Sequence, residues 1–90
     1  PAPDATLVKA VSTAHHWVQA LKGGMQIMDI ADQTNCSGSL IRQRGKLAFL
    51  SPKIQSAIRD GTLPPHLTLK QILRQPIPLD WHQQEQMFGV

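Results

Sequence analysis

The chain has 90 residues, 41% of them hydrophobic and 17% charged, a balance that excludes a disordered segment and leaves room for one small domain with one core. Its formal net charge is +3, and a chain this short has too little interior for a large enzyme cleft. The single cysteine, Cys36, excludes an intrachain disulfide and, by counting, any zinc site that needs two or four cysteines. No apolar run approaches the roughly 20 residues that a membrane helix needs, so no membrane partner is expected. Pro1-Ala2-Pro3-Asp4 has neither the basic nor the apolar region of a secretory leader. A reducing, cytoplasmic setting is therefore expected. The chain opens without Met, which predicts a processed product or a piece of something longer.

The positive charge is local. Between residues 37 and 59 stand Arg42, Arg44, Lys46, Lys53 and Arg59 with no acid among them. The flanking segments are close to neutral or acidic, residues 75–90 carrying only Asp80 and Glu85 as charges. A concentration of this kind suits a polyanion-facing surface, although five charges spread around two helices also fit an ordinary solvated surface.

Turn residues divide the chain into helix-sized pieces, and no stretch alternates with period two for long enough to make a sheet. The predicted fold is all-α, a compact bundle of about five to six short helices forming a single domain over 1–90. Asp4 caps a first helix whose Leu7, Val11, Ala14, Val18 and Leu21 make one apolar face, until Gly23-Gly24 ends it. A second helix covers about Ile27 to Thr34, with Ile27, Ile30, Ala31 and Thr34 inward, and Asn35 supplies the left-handed exit. Ser37 caps a third, running to about Leu47 or Phe49 and burying Leu40, Ile41, Leu47 and Ala48. Ser51-Pro52 opens a fourth, with Ile54, Ala57 and Ile58 inward, and Asp60-Gly61 stops it. Thr68 caps a short fifth through Leu69, Ile72 and Leu73, which Pro76 and Pro78 break. Asp80, with Gln83 three residues on, opens a sixth through Trp81, Glu85 and Phe88 to Gly89. The aromatic residues Trp17, Phe49, Trp81 and Phe88 are assigned to the core, which needs them in a domain of this size.

The stretch from about 26 to 47 has helix-turn-helix spacing. Ala31 is the small residue at the closest approach of two helices, Asn35 the turn, Cys36 a half-buried packing residue, Ser37 the cap and Ile41 the plug between the helices. An ordinary αα-corner in a helical core has the same spacing. What favours DNA is the remaining surface of the third helix: Ser37, Gly38, Ser39, Arg42, Gln43 and Lys46 are all small, polar or basic. Serine hydroxyls and free amides at a helix start donate to phosphate. Arg42 suits bidentate contact with guanine and Gln43 with adenine. Lys46, and Arg44 where it reaches outward, suit backbone phosphates, as does Lys53 on the fourth helix. Gly38 allows close backbone approach.

Several longer motifs carry a family likeness. Leu47-Ala-Phe-Leu-Ser-Pro52, Ile54, Ala57-Ile58, Asp60-Gly61, Leu67-Thr68-Leu69, Leu73-Arg74 and Pro78-Leu79-Asp80-Trp81 resemble the DNA-binding C-terminal region of serine site-specific recombinases of the resolvase/invertase type. More distantly they are similar to the helix-turn-helix of ParB-type partition proteins. The first helix, through His16-Trp17 to Gly23-Gly24, shares the likeness, so it spans nearly the whole chain. The resemblance implies a double-stranded DNA partner, a nucleoid-associated bacterial or phage setting, and a parent recombinase whose catalytic domain lies outside this chain, or a homodimer. Two features depart from the family pattern. Arg44-Gly45 stands where paired leucines are usual, so the third helix is expected to bend or end early, which bears on the side that Lys46 takes. Gln26 replaces a Ser or Thr cap.

Catalysis and metal binding are not expected. Ser12, Ser37, Ser39, Ser51 and Ser56 include none in the context of a recombinase nucleophile, and nothing suggests a cofactor or a small-molecule substrate. His15 and His16, adjacent on a helix, point about 100° apart, and His82 with Glu85 offers too few ligands. The leading expectation is sequence-specific DNA binding by a non-enzymatic domain. The alternative is a protein-interaction module, using a degenerate helix-turn-helix or the apolar C-terminal residues Trp81, Met87, Phe88 and Val90.

Overall fold

In the computed structural model, which describes residues 2–90, the chain is all-α, with six helices, one 3₁₀ turn and no strand among the described residues. The helices are α1 (Ala5–Lys22), α2 (Ile27–Thr34), α3 (Gly38–Gly45), α4 (Pro52–Asp60), α5 (Leu69–Arg74) and α6 (Trp81–Phe88), with the 3₁₀ turn at Lys46–Phe49 between α3 and α4. They pack into a body of 36 × 26 × 21 Å. None of them is long and apolar enough to cross a membrane.

Most of the boundaries follow from local chemistry. Asp4 Oδ1 accepts from the Thr6 amide at 2.9 Å, and Ser37 Oγ and Ser51 Oγ each accept at 3.1 Å from the amides of Leu40 and Ile54. Thr68 and Asp80 cap α5 and α6 in the same way. Gln26 departs from the usual cap chemistry, and Asp29 compensates by accepting from the Gln26 amide at 2.9 Å. Asn35 leaves α2 in the left-handed conformation, φ 56° and ψ 28°. At Gly61, φ is +74° and a side-chain carbon would stand 2.6 Å from the backbone of Ala2, so the N-terminal segment crosses where only glycine fits.

The long helix α1 is the central strut and packs most heavily on the 3₁₀ turn and α3. Two apolar clusters surround it. The larger joins Leu7, Val11 and Ala14 of α1 to Leu47, Leu50, Ile54, Ile58, Leu67, Ile72 and Phe88. The smaller consists of Trp17, Ile30 and Ile41, with Met25, Ile27, Ala31 and Cys36 half-buried around them, and seats α2 and α3 against the C-terminal half of α1.

Five residues expected to face inward do not do so as expected. Leu21 is exposed and Val18 only half-buried, while Trp17 turns inward. The expected face repeats every 3.5 residues and an α-helix every 3.6, so the stripe drifts about 20° per heptad and has left the core by the end of α1. Thr34 is exposed on α2, its hydroxyl donating back to the Ile30 carbonyl at 2.7 Å. Phe49 is 52% exposed because α3 gives way to 3₁₀ geometry after Gly45, where three residues make a turn. Leu47 and Leu50 then share the inner side and Phe49 points out. Trp81, in the first turn of α6, is 54% exposed, because the inward positions of that helix go to Gln84 and Phe88.

Gln84 has no counterpart among the expectations drawn from sequence. It is fully buried, accepts from the Ser51 amide at 2.7 Å and donates to the carbonyls of Phe49 at 3.1 Å and Pro78 at 2.6 Å. One carboxamide, with one acceptor and two donors used, ties α6 to the exit of the 3₁₀ turn and to the proline segment.

Candidate nucleic-acid interface

A three-residue turn, Asn35-Cys36-Ser37, joins α2 to α3, and Ile30 and Ile41 pin the pair from beneath. Burial sorts α3 into two sides. Ile41 is buried and Leu40, Arg44 and Gly45 are half-buried, whereas Ser39, Arg42, Gln43 and Lys46 are exposed. The spacings of three and four residues put these four on one stripe. Gly45 ends α3 without breaking the stripe, because the following turn keeps right-handed dihedrals, φ −59° and ψ −25° at Gly45 itself. Lys46 thus stays beside Arg42, and both line the same groove.

At the start of α3 the donors expected from sequence are in place. Ser37 and Ser39 are exposed. Ser37 Oγ spends an acceptor lone pair on the Leu40 amide, which leaves its hydroxyl proton to donate outward. Gly38 is half-buried, and a side-chain carbon there would meet Arg42 Nη1 and Ile27 Cγ2, both at 3.5 Å. The Arg42 guanidinium thus folds back over the first turn of its own helix, as long helical side chains do.

Arg44 lies elsewhere. Two positions after Arg42 it is turned about 200° around the helix, half-buried, and lines a cleft with Gln43 and with Lys70 and Arg74 of α5. A second cleft on its far side brings it to Lys9 and Trp17 of α1. Its Nε is buried with no hydrogen-bond acceptor among the described residues. Lys53 is exposed on α4, outside both the groove of Arg42 and the cleft of Arg44. Arg59 lines a further cleft of about 360 Å³ with His15 and His16. The acid-free block from 37 to 59 is therefore divided among several faces of the molecule.

Sequence reasoning missed two features. Beside the α3 stripe runs a groove of about 420 Å³ whose walls are Val18, Leu21, Ile27, Ile41 and Phe49 and whose rim includes Lys22 with Arg42 and Lys46. The grouping of Lys9, Lys70 and Arg74 around Arg44 was also missed. Its one visible sign was the four-residue spacing of Lys70 and Arg74, which puts two cations on one face of α5. Among the described residues no group of three or more His, Cys, Asp or Glu side chains is placed to hold a metal ion. No protein-family model matches the chain, and no curated protein or solved structure shows significant similarity to it.

Proposed function

We propose that this chain is a sequence-specific double-stranded DNA-binding domain, with α2 and α3 acting as a helix-turn-helix and α3 entering the major groove. The observation that carries the reading is the exposed stripe Ser39, Arg42, Gln43 and Lys46, free of acidic residues and presented by a helix that a tight turn and two buried isoleucines hold in place. Arg42 and Gln43 supply the bidentate geometry that reads guanine and adenine, and Ser37, Ser39 and Lys46 supply phosphate contacts. The likeness of Leu47-Ala-Phe-Leu-Ser-Pro52 and Pro78-Leu79-Asp80-Trp81 to serine recombinases supports the same reading and suggests a parent recombinase. This chain would then hold the catalytic domain on its site.

The test is an amide NMR titration with a mixed-sequence duplex at about 50 and 200 mM salt, a range over which phosphate contacts lose much of their affinity. Shifts centred on Ser37 to Lys46 that fade with salt are expected. Selection of a preferred site then allows the roles to be separated. Arg42→Ala and Gln43→Ala relax sequence preference, at about 1–3 kcal/mol of discrimination each, while Lys53→Ala weakens binding to all duplexes alike. Equal losses on specific and random duplex for all three variants would remove the base-reading assignment.

A second reading, a protein-interaction module, loses Phe88, which is buried in the core, and Val90, which packs on it, but keeps Trp81 at 54% and Met87 at 38% exposure, to which Leu79 at 86% adds. It predicts no duplex shifts at either salt and binding to a protein partner that is nearly independent of ionic strength.

A further inference from the structure

The grouping of cations around Arg44 is not explained by base reading, because these side chains lie off the α3 stripe. Lys70 and Arg74 are exposed on α5, with Leu69 and Leu73 completing that wall, and Arg44 closes the cleft from α3. Leu69 and Arg44 also line the neighbouring cleft that contains Lys9, so four cations from three helices surround one partition. None of the acidic residues Asp4, Asp29, Asp32, Asp60, Asp80 and Glu85 lines either cleft. No acidic side chain in the lining offsets the positive charge there.

Arg44 adds a sharper requirement. A guanidinium N–H withdrawn from water and left without an acceptor is costly, more so than a neutral donor. The Arg44 Nε is such a group. Its planar fork suits an oxyanion with two or more oxygens, which Lys70 and Arg74 would neutralise from the opposite wall. Gln43 belongs both to the exposed stripe of α3 and to the lining of this cleft, so an anion held there sits at the flank of the reading helix.

We propose that Arg44, Lys70 and Arg74 form a phosphate-binding site that grips the DNA backbone beside the groove entered by α3. The identity of the anion as DNA rests on the function proposed above; the preference for phosphate rests on the cleft alone. Phosphate contacts of this kind set register and orientation without reading sequence.

The experiment has two arms on the full chain and on the double variant Lys70→Gln/Arg74→Gln, whose exposed side chains can be exchanged without disturbing the core. In the first, inorganic phosphate is titrated against chloride of matched ionic strength while the Arg44 Nε–Hε resonance is followed. A saturable shift with phosphate, absent with chloride and lost in the double variant, is expected. In the second, duplex affinity is measured against salt. The variant should bind roughly tenfold or more weakly at low salt, to specific and random duplexes alike. Its slope of log K against log[salt] should be shallower by about 2, one unit for each lost phosphate contact. The α3 shifts should persist. Should the wild type show the phosphate response but bind no duplex, the DNA reading falls and the site stands as one for free phosphate. If Arg44 ignores phosphate and the variant binds duplex with wild-type affinity and slope, the site is overturned, whereas the α3 assignment survives.

Discussion

The larger apolar cluster draws buried residues from α1, the 3₁₀ turn, α4, α5 and α6, whereas the smaller one, which seats α2 and α3, has three buried residues, Trp17, Ile30 and Ile41, with half-buried side chains around them. The frame and the unit proposed to read DNA are thus held by unequal amounts of buried surface. Local opening follows the thinner footing, so α2 and α3 should unfold at lower free energy than the frame around them. If α2 and α3 bind DNA as proposed, such an arrangement would let them adjust on a duplex while α1, α4 and α6 stay fixed.

The strongest challenge to this division is Gln84→Leu, which acts on the frame. It would strand the Ser51 amide and the carbonyls of Phe49 and Pro78 beside an apolar side chain. A loss of roughly 3–5 kcal/mol is expected in urea unfolding, with the whole domain melting together. A loss under about 1 kcal/mol would mean that water or a neighbouring group satisfies those atoms and that the frame does not depend on the clamp.

Ile41→Ala acts on the small cluster and should cost roughly 2–4 kcal/mol. Here the distribution matters more than the size. Amide hydrogen exchange is expected to accelerate at Ile30, Ala31 and Ile41 and to remain slow at Ile54 and Ala57, with duplex binding lost. Equal acceleration at both sets would show a single cooperative unit and break the comparison.

Gly45→Ala has the smallest expected effect. The backbone at Gly45 is helical and a side-chain carbon there meets nothing within 4 Å, so alanine should raise stability by about 0.5–1 kcal/mol. If thermal unfolding shows a loss instead, the change from α to 3₁₀ geometry requires the glycine, and the exposure of Phe49 depends on it.

Much of the fold was legible in the chain because its signals are local. A carboxylate or hydroxyl just ahead of an apolar-periodic run caps the amide three residues on by local geometry alone, which is why Asp4, Ser37, Ser51, Thr68 and Asp80 marked their helices correctly. Asn35 announced a left-handed exit, and Arg44-Gly45 the early end of α3. The exposed stripe was legible for the same reason, since Ser39, Arg42 and Gln43 of α3 and Lys46 of the adjoining 3₁₀ turn recur at spacings of three and four residues. Apolar composition was a poorer guide to burial: Phe49 and Trp81 are as hydrophobic as Trp17 and Phe88, yet half of each lies in solvent.

Local hydrogen bonding and helical period were enough to set the order of the helices and most of their ends, the C-terminus of α3 excepted, and to single out the outward residues of α3. The packing of one helix on another decided the rest. It buried Gln84 against the backbone of Phe49 and Ser51, 35 and 33 residues away, where a sequence pattern would leave a glutamine in water. It also turned Arg44 away from Arg42 and gathered Lys9, Lys70 and Arg74 around it. Contacts between residues far apart in the chain have no spacing to betray them, because their geometry is set by how α1, α3, α5 and α6 cross and not by the order of residues along any one of them.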